Sequence, residues 1–150
     1  MQPDLDTFLA DRLHEITAEV VGEITARVPA YGHLRPGGIR TLVRDALAVY
    51  SGAREPGAVV EVFRDLGASE ARAGQDVRHF ESALRTGARV LVRRTAGAAA
   101  RLYPPTAEFI AVMETAFTAE DELVGAAVEG HHRARRPLVA RRLYSLLSEN

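Results

Sequence analysis

Apolar residues recur at steps of three and four along most of the chain, and this spacing constrains the fold more than any other feature. Residues with this spacing fall on one face of an α-helix, whereas a half-buried strand needs strict alternation of apolar and polar residues. No long alternating segment and no internal repeat is present. The first stripe consists of Leu5, Leu9, Leu13, Ile16, Val20, Ile24 and Val28. The pattern therefore predicts an all-α fold.

Proline and glycine divide the stripes into separate helices joined by short connections. We expect the first helix to continue through its whole stripe and to end at Pro29. A second helix is predicted over residues 39–50. A third begins near Gly57, and the pattern does not decide where it ends between residues 67 and 74.

Asp76 is a candidate N-cap, because its carboxylate can accept from the free N–H groups of a first helical turn. The fourth helix then runs to Pro104 and is expected to be central. Residues 118–121 fit a capping box, so the next segment is one helix or two, and a last helix follows Pro137. These helices predict one antiparallel bundle of about five to seven helices over residues 1–150, with a globin-like arrangement as one form.

The composition excludes several classes of function. A net charge of -1 argues against a protein that mainly neutralises nucleic-acid phosphates. Cysteine is absent, which removes disulfides and thiolate metal sites. The first residues lack the basic and apolar segments of an export signal, and no apolar segment is long enough to span a membrane. We therefore expect a cytoplasmic protein with no membrane contact.

The most distinctive segment covers residues 66–94, where small residues stand at fixed offsets among apolar ones. The pattern is Gly, three residues, Ala, two residues, Gly, then apolar positions that lead to an Ala, an Arg and a further Gly. Its candidate motif residues are Gly67, Ala71, Gly74, Val77, Phe80, Ala83, Leu84, Arg85 and Gly87. This segment resembles the amino-terminal helical domain of actinobacterial PucR-like and CdaR-like transcription regulators. It is similar also to the helical domains of stressosome co-antagonist proteins.

The resemblance implies a non-enzymatic sensory or dimerisation domain that carries no cofactor. In the resembling regulators a carboxy-terminal helix-turn-helix follows, so DNA would be contacted only through domains absent from this chain. We expect a homodimer formed through apolar helix faces, and a small-molecule effector or a protein partner that shifts the helix packing. The effector and the target genes do not follow from the sequence.

Three residues of the central helix have alternative interpretations. Gly87 and Gly97 each cost about 1 kcal/mol relative to Ala within a helix. Close helix packing is the expected compensation, and a ligand cavity beside the helix is the alternative. Arg85 either pairs with Glu81 on its own surface or is partly buried and anchors an acid from another helix. The resemblance favours the buried anchor.

A metal- or heme-binding bundle is a second hypothesis, because three carboxylate and histidine pairs are spaced to share a helix face. The pairs are Asp11 with His14, Asp76 with His79, and Glu129 with His132. All three lie off the apolar stripes, so we expect them at the surface. Heme needs an inward histidine, and only His131, near the expected end of a stripe, falls on one. We therefore expect an interior without a histidine or an acid.

A third hypothesis is a stand-alone DNA-binding regulator with a helix-turn-helix over residues 63–84. Gly74 would interrupt its recognition helix, and the nearby acids Asp65, Glu70 and Asp76 would repel phosphates. The most basic segment, residues 131–142, surrounds Pro137 and is expected to be a solvated surface or a contact between domains. DNA binding by this chain alone is therefore disfavoured.

Overall fold

The computed structural model describes residues 3–104 and 106–148, with side chains over residues 5–104 and 106–135. These ranges contain six α-helices and no strand. In chain order the helices are α1 Pro3–Ala10, α2 Leu13–Arg27, α3 Pro36–Tyr50, α4 Pro56–Arg72, α5 Val77–Leu102 and α6 Ala107–Ser148, with a short 3₁₀ helix at Pro29–Tyr31. The predicted all-α bundle and its number of helices are confirmed.

Most helix ends lie where the sequence predicts them. Helices α3 and α4 begin at Pro36 and Pro56, because proline's fixed φ and missing N–H suit the first helical turn. The Asp76 carboxylate accepts a hydrogen bond of 2.7 Å from the Arg78 backbone N–H and caps α5. Helix α5 ends at Leu102, two residues before Pro104.

The first apolar stripe is divided between two helices, which corrects the prediction of one continuous helix. Arg12 leaves helical geometry with φ -108° and ψ 15°, and α2 begins at the next residue. Its guanidinium donates to the Phe8 carbonyl at 3.0 Å and covers the Phe8 ring at 3.6 Å from the centroid. A side chain thus satisfies a carbonyl at the end of α1, and neither proline nor glycine marks the break.

The long last segment is one helix, α6, which decides between the one helix or two left open at residues 118–121 and shows that the predicted separate helix after Pro137 is wrong. Buried residues keep the helical spacing through the predicted capping box, and their packing outweighs the local capping signal. These residues are Val112, Ala116, Ala119, Leu123, Ala126 and Ala127. At position 137 the helix loses one backbone hydrogen bond, because proline has no N–H.

The core is organised around α5, which contacts all the other helices. Helix α4 is held differently, because it packs extensively along α6 and touches α3 and α5 at few points. Because α4 makes few contacts with α3 and α5, a space remains between these three helices.

Candidate functional site

An apolar cavity of about 270 Å³ lies between α3 and α4 and against α5. Side chains from α2 and α6 complete its wall. The apolar lining residues that α4 and α5 contribute are Phe63, Leu66, Phe80, Ala83, Leu84, Gly87, Ala88 and Leu91. Among the described residues, Glu70 is the only charged one in the lining, and the hydroxyl groups there belong to Tyr31 and Tyr50. Such a concave, mostly apolar surface with few polar groups is typical of small-molecule sites.

The cavity exists because α5 presents small residues where α3 and α4 diverge. Ala83, Gly87 and Ala88 all line it. A Cβ added to Gly87 would meet Val20 at 3.4 Å and Ile24 at 3.5 Å, which is ordinary van der Waals contact. At Gly97 a Cβ would meet nothing within 4 Å, so close packing does not explain that glycine.

Tyr31 and Glu70 form the polar end of the cavity. The Tyr31 hydroxyl donates to Oε1 of Glu70 at 2.6 Å. Burial raises the pKa of Tyr31, and the hydrogen bond and charge of Glu70 raise it further, so the phenol stays protonated and donates. Among the described residues the Oε2 atom of Glu70 has no hydrogen-bond partner. One carboxylate oxygen therefore remains open.

Tyr50 is a second tyrosine in the cavity wall and is almost completely buried. Burial raises its pKa most, and the negative charges of Glu120 and Asp121 on α6 raise it further. Carboxylates thus lie close enough to both tyrosines of the cavity to raise their pKa values.

The predicted motif residues divide between two places. Gly67 and Ala71 are buried on α4, Gly74 has a φ of 85° in the turn after α4, and Val77 is the first residue of α5. This φ favours glycine, because a side chain is strained there.

The second half of the motif belongs to the cavity. Phe80, Ala83 and Gly87 line it, whereas Arg85 lies outside the lining. The structure therefore does not bring all the motif residues into one site.

Arg85 does not anchor an acid from another helix, and that interpretation is wrong. It is 57% exposed and pairs with Glu81 on its own helix at 2.9 Å. Arg94 instead connects α5 to α2, binding Glu19 at 2.6 Å and Glu15 at 3.1 Å, and Arg93 beside it also binds acids of α2.

Helices α4 and α6 cross at two glycines. A Cβ on Gly67 would overlap the Ala127 carbonyl, and one on Gly130 would overlap the Arg64 carbonyl. Backbone therefore packs against backbone at this crossing. Gly67 belongs to the predicted motif, but Gly130 was missed, although Ala126 and Gly130 on α6 stand four residues apart, as Gly67 and Ala71 do on α4.

His131 corrects the prediction of an interior without histidine. It is completely buried, and its ring stacks on Phe80 with centroids 5.6 Å apart. Nε2 donates to the Gln75 carbonyl at 2.7 Å, because a carbonyl can only accept. In the part of the chain that the structure describes, the Nδ1 atom has no hydrogen-bond partner. This bond joins α6 to the turn between α4 and α5.

The carboxylate and histidine pairs do not combine into a metal centre. Within the described residues no group of three histidine, aspartate or glutamate side chains is arranged to hold a metal ion. His14, His79 and His132 are exposed. Over the same part of the chain, no helix is long and apolar enough to cross a bilayer.

The fold and its cavity define the class: an all-helical bundle with an apolar cavity that has one acidic, hydrogen-bonded end. The family comparison is more specific. The model of the PucR-like N-terminal domain matches residues 1–143, and the chain belongs to this family. Membership indicates part of a transcription regulator, as the resemblance predicted. Neither the curated proteins nor the solved structures include a significant match.

Proposed function

We propose that this chain is the non-enzymatic sensory domain of a PucR-like transcription regulator and that its effector binds in the cavity between α3 and α4. The cavity itself is the observation that carries the proposal. Burial of an apolar ligand there gains about 25 cal/mol per Å² removed from water. Phe80, Ala83 and Gly87 of the motif lie in its wall, which connects the family pattern with the cavity.

The helix contacts suggest how binding is transmitted. Helix α4 packs much more extensively on α6 than on α3 or α5. A ligand between α3 and α4 would therefore displace α4 together with α6, which it meets at the Gly67 and Gly130 crossing. A ligand that binds the displaced arrangement better shifts the population toward it. DNA-binding modules attached to the domain would then change their relative geometry.

Homodimerisation remains a prediction and is part of this proposal. Ile110 and Phe117 are 57% and 52% exposed, and they lie seven residues apart on α6. Residues with this separation share a helix face. In a two-fold interface each copy would cover this apolar face of the other.

The cavity is tested by filling it. Ala83→Leu places a larger side chain in the wall, and we expect propylbenzene to bind this variant roughly tenfold more weakly than the wild type, because apolar contact area is lost. Isothermal titration calorimetry measures the affinities. Ser82→Leu, at the exposed neighbouring position of α5, is the matched control and should bind as the wild type does.

Ala46→Leu fills the cavity from α3 and repeats the test if Ala83→Leu does not fold. Circular dichroism establishes which variants are folded. Propylbenzene that binds the wild type and both filled variants equally tightly would contradict the proposed site.

A further inference from the structure

The polar end of the cavity indicates the chemistry of the effector, and this inference rests on the proposed function. We infer that the effector is an apolar compound with a cationic amino group, whose ammonium donates to the Glu70 carboxylate while its apolar part fills the space over α5.

The charges of the lining favour a cation over an anion. Glu70 is its only charged residue, so no arginine or histidine is present there to receive a ligand carboxylate or phosphate. The Tyr31 hydroxyl already donates to Oε1 of Glu70. The Oε2 atom of Glu70 has no partner among the described residues and is an acceptor, and an ammonium supplies the N–H donors that would satisfy it.

The environment of Tyr50 also favours a ligand with a positive charge. Tyr50 lies in the cavity wall, and the carboxylates of Glu120 and Asp121 raise its pKa in addition to burial. These groups and Glu70 place negative charge near two parts of the wall. An anionic ligand would be repelled, whereas a cation is attracted.

The volume sets the size of the ligand. An apolar cavity of about 150 Å³ holds benzene. The cavity here is about 270 Å³. At the same volume per atom as benzene in its cavity, the ligand that fits here has roughly ten non-hydrogen atoms. A phenyl ring with a short aminoalkyl chain has this size and carries the required charge.

A matched series of probes tests the inference on the folded chain by isothermal titration calorimetry. The probes are propylbenzene, 3-phenylpropan-1-ol, 3-phenylpropylamine and 3-phenylpropanoate, which share the apolar part and differ in the head group. We expect the amine to bind about tenfold more tightly than propylbenzene, since hydrogen bonds to charged groups are stronger than neutral ones. The carboxylate should bind most weakly.

Variants assign the preference to Glu70. Glu70→Gln should abolish the advantage of the amine and leave propylbenzene binding unchanged. Asp65→Asn removes an exposed carboxylate from the same helix and should retain the advantage. Tyr31→Phe removes the hydrogen bond but keeps the carboxylate and the ring, so it should retain the advantage, and loss of the advantage in this variant would overturn the assignment to Glu70.

The two proposals fail in different ways. If none of the four probes binds, the proposed effector site is wrong. If propylbenzene binds but the amine has no advantage, or the advantage survives in Glu70→Gln, the cavity stands and the amine inference is overturned. Loss of the advantage in Asp65→Asn would also overturn it.

Discussion

Arg94 and Arg85 lie on the same helix, but only Arg94 faces acids of a neighbouring helix. Arg94 is 27% exposed and binds Glu15 and Glu19 of α2, whereas Arg85 is 57% exposed and binds Glu81 of α5. Water and salt screen the attraction between a guanidinium and its carboxylates less when the guanidinium is less exposed and is held by two of them. Arg94 should therefore contribute more to stability.

Arg94→Ala should lower the free energy of unfolding by about 1 kcal/mol, and Arg85→Ala by at most about 0.5 kcal/mol. Urea denaturation at low salt measures both values. The difference should shrink at about 1 M salt, where charges are screened. An equal loss in the two variants would contradict the assigned roles.

The ion-pair partners of the arginines on α5 could not be predicted, because they depend on how the helices cross. The sequence left two partners open for Arg85, because the acids that an arginine of α5 meets depend on the path of α2 over α5. By contrast, Asp76 was predicted correctly, because its cap bond is made to a residue two positions away.

At the scale of helices, the α4 and α6 pair is the most extensive contact in the described chain. Gly67 and Gly130 permit this contact, since each lies against a backbone carbonyl of the other helix. A carbonyl in a helix cannot move aside as a flexible side chain can. An added methyl group would therefore separate the two helices.

Gly130→Ala should lower the free energy of unfolding by about 3 kcal/mol or more, because overpacking against backbone opens the interface. Gly97→Ala is the matched control, and it should raise stability by about 0.5–1 kcal/mol, since nothing lies near its Cβ and alanine favours helix. Thermal and urea denaturation measure both. A Gly130→Ala variant as stable as the wild type would show that the crossing is not close.

Helix starts were predictable where proline or a cap residue determines them locally, as at Pro56 and Asp76, whereas α3 begins at Pro36, three residues before its predicted start. The break at Arg12 was not predictable, because it depends on the packing of Arg12 over Phe8. The continuity of α6 was also missed, because the local signals at residues 118–121 oppose its tertiary packing.

At the scale of the whole molecule, the cavity follows from how far α3 and α4 stand apart above α5. The small residues Ala83 and Gly87 were visible in the sequence, but either close packing or a cavity was consistent with them. The separation of α3 and α4 decides between the two, and it depends on how α4 packs on α6. His131 was not expected inside, since its burial depends on how α6 packs against Phe80 and against the turn that holds Gln75.

The most direct test of the effector cavity is methyl NMR of the folded chain titrated with 3-phenylpropylamine. We predict shifts at Ile39, Leu66 and Leu84, which line the cavity, and little change at Leu9, which is buried on α1, a helix that contributes no residue to the lining. Unchanged cavity methyls, or shifts confined to the exposed Ile110, would contradict the account.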